Sequence, residues 1–155
     1  MISPERLRRF PHFAEAPDEI LKFIAMNSRD ERCRRGDTIF IEGNPAKALL
    51  FLEEGEVDII YRLGDERRIV VDTIVPGETF SWSAALPPHI LSATAVASKD
   101  CVLFGCDRAS LERICEENPV LGMRLMTEIA RVLRRRLISA RVQLAANGAR
   151  EIVTA

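Results

Sequence analysis

Residues 76–96 carry the side chains best suited to contact a ligand. The segment reads PGETFSWSAALPPHILSATAV and holds the only tryptophan, Trp82, and one of the two histidines, His89. An indole face can stack on a planar ligand, and an imidazole can donate a hydrogen bond. The Pro-Gly start and the double proline predict an irregular insertion between two strands, where ligands usually bind. Its only charged side chain is Glu78, so the segment is poorly equipped to hold a charged ligand.

Composition limits the class of protein. The chain has 155 residues, of which 47% are hydrophobic and 29% charged, as expected for one globular domain with its own core. The net charge of −1 provides no general attraction for nucleic acid or an anionic membrane. No apolar run approaches the ~18 residues of a membrane span, and the N-terminus lacks the apolar centre of a signal peptide. We therefore expect a cytoplasmic protein that binds neither membrane nor nucleic acid directly.

The residues that usually hold metals or act as nucleophiles are few and scattered. The four cysteines form no C-x-x-C pair and are expected to be reduced, buried hydrophobes: Cys33, Cys101, Cys106 and Cys115. Cys101 and Cys106 are five residues apart, which predicts opposite faces of one strand. His12 and His89 are the only histidines, and no H-x-H motif occurs. A cupin-like metal enzyme or a Ser-His-Asp site is therefore disfavoured, and we expect no metal and no catalytic residue.

The spacing of apolar residues and turns predicts a mainly β protein with flanking helices. Residues 4–27 have a helical pattern, with a helix start at Pro17 and Asp18. Residues 29–106 contain short strands about ten residues apart, which favours a sandwich or barrel of about eight strands. A strong turn signal, Glu42-Gly43-Asn44-Pro45, follows the first of them. The clearest strands are predicted at 38–41, 49–52, 57–63, 68–75, 92–97 and 101–106.

Two helices are predicted after the strands. Asp107 is a candidate cap for the first, and Asn118-Pro119 opens a long helix that reaches about Ala145. One apolar stripe of the long helix, which can face the barrel, consists of Leu121, Leu125, Ile129 and Val132. A second stripe has heptad spacing and predicts a homodimer through this helix: Met126, Ala130, Leu133, Leu137, Ala140 and Leu144. The alternative is that both stripes pack within one chain. Residues 146–155 are predicted to be a frayed tail.

The order of elements and several motifs resemble the cyclic nucleotide-binding domain of the Crp/Fnr type, over residues 5–145. The matching motifs are RGDTIFIEG at 35–43, LFLEEGEV at 50–57, PGETF at 76–80 and ENP at 117–119. Arg124-Leu125-Met126 and Arg136-Leu137 continue the match. The resemblance implies an eight-stranded double-stranded β-helix, or jelly-roll barrel, with N-terminal helices and a long C-terminal helix. The expected domain is 1–145, with helices at 4–27, the barrel at 29–106 and helices at 107–145.

The resemblance also implies a ligand site. The family's phosphate-binding cassette falls on residues 80–95, and its Gly-Glu pair falls on Ser81-Trp82. The position of its phosphate-binding arginine falls on Leu91, or on Ile90 or His89 if the loop gap is placed differently. The small hydroxyl residue that follows is kept as Ser92. The long helix of the family also lends a residue to the ligand, here Arg136, which is equally well explained as part of a solvated basic patch. The candidate ligand-binding residues are Phe80, Ser81, Trp82, Ser83, Ala84, Ala85, His89, Leu91, Ser92 and Arg136.

Both charged anchors of the usual cassette are missing from this sequence. A hydrogen bond to a charged group contributes about 1.5–3 kcal/mol, so two lost anchors imply roughly a hundred-fold weaker binding or more. We therefore expect a cyclic nucleotide or another small ligand to bind weakly, if the pocket takes one. Trp82 has two open interpretations: a platform for a planar ligand, or a plug that fills the pocket.

The sequence favours a non-catalytic small-molecule sensor that signals through its C-terminal helices to a regulatory partner. One alternative is a ligand-free dimeric adaptor. The other is a relative of the Crp/Fnr transcription regulators without their DNA-binding domain, because the eleven residues after Leu144 are too few for a helix-turn-helix.

Overall fold

Eight antiparallel strands and four α-helices form in the part of the chain that the structure, a computed structural model, describes: residues 1–11, 13–148, 150 and 152. The helices are α1 (Pro4–Arg8), α2 (Asp18–Met26), α3 (Arg108–Glu117) and α4 (Pro119–Ala146). The strands are β1 (Ser28–Cys33), β2 (Thr38–Phe40), β3 (Ala48–Glu54), β4 (Val57–Leu63), β5 (Arg67–Ile74), β6 (Thr79–Phe80), β7 (Thr94–Ala97) and β8 (Cys101–Asp107).

The strands make two four-stranded sheets, in the orders β1-β8-β3-β6 and β2-β7-β4-β5. Alternate residues of a strand face opposite sides, which creates two cores. Leu103 belongs to an inner cluster between the two sheets, whereas Phe104 belongs to an outer cluster between the first sheet and the helices. The predicted mainly β jelly roll with flanking helices is confirmed.

The outer cluster attaches the N-terminal residues to the first sheet. Phe51 and Phe104 stack at 4.8 Å, and Phe10 meets both rings edge-on at 5.3 and 5.5 Å. The helical prediction for residues 4–27 needs correction, because turns separate α1 from α2. Pro11 and Pro17 explain the break, since proline lacks an amide proton and disfavours helix in the residue before it.

The C-terminal helices begin as predicted. The Asp107 side chain accepts a hydrogen bond from the Ser110 amide at 2.8 Å, and that of Asn118 accepts one from the Leu121 amide at 3.2 Å. The stripe Leu121, Leu125, Ile129 and Val132 is buried against the rest of the chain, as predicted. α4 ends at Ala146, and residues 149, 151 and 153–155 of the predicted tail lie outside the described residues.

The cysteines are free thiols. Cys101 lies in the inner cluster and Cys106 in the outer one, which confirms opposite faces of β8. Burial raises the pKa of Cys106 to about 12 and also raises the pKa values of Cys33, Cys101 and Cys115. A raised pKa keeps a thiol neutral near pH 7 and therefore a poor nucleophile. Among the described residues, no group of three or more His, Cys, Asp or Glu side chains is placed to hold a metal, and no helix is long and apolar enough to span a membrane.

Candidate functional site

Residues 80–95 run from the end of β6 into the start of β7 and leave the first sheet through a strained residue. We call this stretch the cassette segment. Ser81 has φ 60° and ψ 39°, in the left-handed region that costs a non-glycine residue about 1 kcal/mol or more. A single 3-10 turn, Trp82–Ala84, follows, and the Ala84 amide donates to the Ser81 carbonyl at 3.1 Å. The backbone thus turns back toward the barrel directly after β6.

The return half of the cassette segment is fixed to the turn predicted at residues 42–45. The Leu91 amide donates to the Asn44 carbonyl at 2.9 Å, and the Leu91 carbonyl accepts from the Gly43 amide at 2.8 Å. The Ala46 amide donates to the His89 carbonyl at 2.8 Å. These backbone hydrogen bonds join the cassette segment and the turn into one wall.

This wall lines one side of a cavity of about 310 Å³, and β2 and β3 line the other. We call it the first cavity. Its volume is at the lower end of the range of small-molecule sites, roughly 300–1,000 Å³. Apolar side chains, including Phe40, Leu50 and Leu91, form much of the lining. The polar groups in the lining are Glu31, Thr38, Asn44, Lys47 and Ser81.

Two of the predicted ligand-binding residues, Ser81 and Leu91, line the first cavity. Leu91 is apolar and only 5% exposed, and it is one of the three positions on which the resemblance places an arginine. Ala84, Ala85 and His89 instead line a second cavity of about 270 Å³, between the cassette segment and helices α3 and α4.

The aromatic residues of the cassette segment face the protein interior. Phe80 is fully buried in the inner cluster, with its ring centroid 6.1 Å from that of Phe40. Trp82 is half-buried and packs against the outer cluster. Trp82, Ser83 and Ser92 are not among the described residues that line the first cavity. This placement favours a packing role for Trp82 behind the cassette segment over a stacking platform inside the first cavity.

Arg136 lies apart from the first cavity. Its guanidinium donates to Asp72 at 2.7 Å and to Glu78 at 2.9 Å, and it lines a third cavity beside Glu78. The two carboxylates neutralise the arginine and tie α4 to the end of β5 and the turn before β6. These two carboxylates therefore compete with any ligand for the Arg136 guanidinium.

Lys47 is the residue that sequence reasoning missed. It is the only basic side chain among the described residues that line the first cavity, and it comes from the segment before β3. Its sequence context gives no signal, because an isolated lysine after a turn usually lies in solvent, and Lys47 is exposed here as well. The fold therefore places a cation near the cassette segment, which contains none of its own.

Two segments next to the first cavity contact α3. The His89 Nδ1 lies 3.1 Å from the carbonyl oxygens of Ser83 and Ala84, so it donates to them, while its Nε2 lies 3.4 Å from Glu112 on α3. Arg108, the first residue of α3, also holds Glu112, at 2.7 Å. Its backbone amide donates to the Lys47 carbonyl at 2.8 Å. A displacement of either segment is therefore expected to displace α3.

Residues 30–118, more than half of the chain, match the sequence model of the cyclic nucleotide-binding domain. The chain belongs to the cyclic nucleotide-binding domain family. The cAMP-dependent protein kinase regulatory subunit of Eremothecium gossypii is 33% identical over 98 residues, 63% of this chain and 20% of its own. The CRP-like cAMP-activated global transcriptional regulator of Mycobacterium tuberculosis is 28% identical over 101 residues, 65% of this chain and 45% of its own. The chain thus spans less than half the length of these curated relatives.

Solved structures share the fold of this cyclic nucleotide-binding domain. A protein from Geobacter metallireducens GS-15, named for cyclic nucleotide binding, superimposes with a TM-score of 0.78 at 35% identity, over 88% of this chain and 99% of that one. The N-terminal domain of a transcriptional regulator from Streptomyces coelicolor A3(2) gives a TM-score of 0.69 at 27% identity, over 86% and 94% of the two chains.

Proposed function

We propose that this cyclic nucleotide-binding domain is a non-catalytic, cytoplasmic regulatory module that senses a small ligand in the first cavity. The signal passes through α3 and α4 to a regulatory protein partner. The observation that carries the proposal is that two segments next to the first cavity contact α3: the His89 Nε2 lies 3.4 Å from Glu112, and the Arg108 amide donates to the Lys47 carbonyl. A ligand that binds one arrangement of these segments better than another shifts the position of α3.

The proposed ligand is a small anion with an apolar body, such as a cyclic nucleotide, bound more weakly than is usual in the family. Relatives named for cAMP support the class of ligand. The apolar Leu91 supports the weak binding, because it occupies the position expected for the phosphate-binding arginine. Lys47 supplies the cation in the cavity lining.

Trp82 fluorescence tests the sensor directly, because the chain has a single tryptophan and it adjoins Ser81 in the cavity wall. Titration with cAMP, cGMP, cyclic dinucleotides and small metabolites is expected to give a saturable change with at least one compound. Lys47→Gln is expected to weaken binding of an anionic hit about ten-fold, the lower end of the loss for one charged hydrogen bond.

Lys22→Gln is the matched control, because Lys22 is an exposed lysine on α2 that lines none of the cavities described above. The affinity of Lys22→Gln for the same anionic compound should equal that of the wild type. Equal losses in the two variants would contradict the assignment of Lys47. Silence of Trp82 across the whole panel, with thermal stability also unmoved, would favour the alternative of a ligand-free adaptor.

Dimerisation through α4 is part of this proposal. In the heptad stripe, Met126 and Leu133 pack against the outer cluster of the same chain. The C-terminal half of the stripe is uncovered, with Leu137 51% and Leu144 64% exposed and Ala140 exposed between them. An exposed apolar seam of this spacing favours pairing with a second copy.

Sedimentation of the wild type is expected to show a dimer, and Leu137→Glu is expected to give a monomer because it places a carboxylate in the seam. Val142→Glu adds the same charge at an exposed apolar position on the opposite side of α4 and should remain dimeric. A monomeric wild type at tens of micromolar, or equal effects of the two variants, would refute pairing through this stripe.

A further inference from the structure

The face of the second sheet turned away from the inner cluster carries an open cavity of about 510 Å³. We call it the arginine cavity, after Arg62 on β4 and Arg68 on β5, which line it. Thr94 lines it as well, and it precedes Ala95, which is fully buried in the inner cluster. Because neighbouring residues of a strand face opposite sides, the arginine cavity lies on the outer face.

Arg62 and Arg68 are direct cross-strand partners in the β4–β5 ladder. Like charges placed opposite each other in a sheet are destabilising by a few tenths to about 1 kcal/mol. In the described part of the chain, neither guanidinium forms a salt bridge that would offset this repulsion. Local arrangements that lower stability without compensation are characteristic of binding sites.

The acidic groups near this pair do not neutralise it. Glu42 lines the arginine cavity, and Asp65 and Glu66 lie in the β4–β5 turn beside both arginines. None of these carboxylates is within salt-bridge distance of Arg62 or Arg68 in the described residues. The lining of the arginine cavity therefore contains two cationic side chains, Arg62 and Arg68, and one anionic side chain, Glu42.

Two hydroxyl groups complete the lining. Thr94 accepts a hydrogen bond from the Glu42 amide at 3.0 Å, which leaves the proton of its hydroxyl available to a ligand. Thr38 provides a second hydroxyl and lines both the arginine cavity and the first cavity. Ile41 is also common to the two linings, so the cavities adjoin each other.

We propose that Arg62 and Arg68 bind a phosphate or phosphodiester group in the arginine cavity. Guanidinium groups match the oxygens of a phosphate in charge and geometry, and a bound phosphate converts the repulsion between the arginines into a shared attraction. Because the two cavities adjoin, one elongated ligand can place its apolar part in the first cavity and a phosphate between the arginines. This extension alone rests on the proposed function.

Calorimetric titration with inorganic pyrophosphate tests the arginine cavity without involving the first cavity. Arg62→Gln and Arg68→Gln are each expected to weaken pyrophosphate binding at least about ten-fold. Arg67→Gln is the matched control, because Arg67 is paired with Leu63 and is not among the residues that line the cavity. Arg67→Gln should leave the pyrophosphate affinity unchanged. Absence of pyrophosphate binding at millimolar concentrations, or an equal loss in Arg67→Gln, would overturn the proposal.

Thermal unfolding without pyrophosphate separates a ligand contact from a structural role. Removal of one of two opposed like charges should leave the unfolding midpoint of Arg68→Gln equal to or above that of the wild type. A lower midpoint would mean that the arginine supports the hairpin, and would also overturn the proposal. If pyrophosphate fails to bind while Trp82 responds to another compound, only the arginine cavity is refuted and the sensor function stands.

Discussion

Leu91→Arg is expected to raise the affinity for cAMP about ten- to one-hundred-fold, the gain that one charged hydrogen bond provides. Leu91 lines the first cavity and is one of the positions on which the resemblance places the phosphate-binding arginine of the family. The cavity of about 310 Å³ gives a guanidinium room beside Ser81. Calorimetric titration with cAMP measures the change, and adenosine, which lacks the phosphate, should show no comparable gain.

Ile90→Arg is the matched control for this substitution. Ile90 is adjacent in sequence, 43% exposed and not among the described residues lining the first cavity. The resemblance allows the arginine position to fall on Leu91, Ile90 or His89, and this pair of variants tests the first two. An equal gain in Ile90→Arg would indicate general charge attraction, and no gain in Leu91→Arg, with the fold intact, would mean that the cavity does not take the cyclic phosphate at this position.

Gly55→Ala is expected to lower the free energy of unfolding by about 2–4 kcal/mol, from backbone strain and forced overpacking together. Gly55 joins β3 to β4 with φ +96°, a conformation that side chains rarely adopt. An added Cβ would lie 2.3 Å from the Asp100 carbonyl oxygen and 2.8 Å from the Cys101 Sγ. Backbone at that distance cannot move aside without disturbing the start of β8. Urea unfolding measures the loss.

Gly64→Ala separates the two causes of this loss. Gly64 joins β4 to β5 with φ +69°, and an added Cβ there meets nothing within 4 Å. Its substitution should therefore cost only the conformational part, about 1 kcal/mol. Similar losses at Gly55 and Gly64 would show that the contact with Asp100 contributes nothing.

Much of the fold was predictable because local chemistry decides it. Asp107 and Asn118-Pro119 begin helices with side chains that satisfy free amides, which requires only neighbouring residues. The turns and the alternation of apolar residues predicted β4 at its observed bounds, Val57–Leu63. β1 was less evident, because its sequence SRDERC is charged and lacks alternation. It is a strand because all six of its residues pair with β8, which no local pattern records.

The candidate ligand site also has features that local sequence predicts and features that depend on long-range packing. The family and the irregular segment after β6 were predictable, because both depend on residue types in their order along the chain. Which side chains meet in one cavity was not predictable and follows from the fold. The fold places Lys47 near the cassette segment and packs Trp82 against the outer cluster. It also pairs Arg136 with Asp72 and Glu78. The physical reason is that contacts between residues far apart in sequence depend on how sheets and helices pack, which no local pattern encodes.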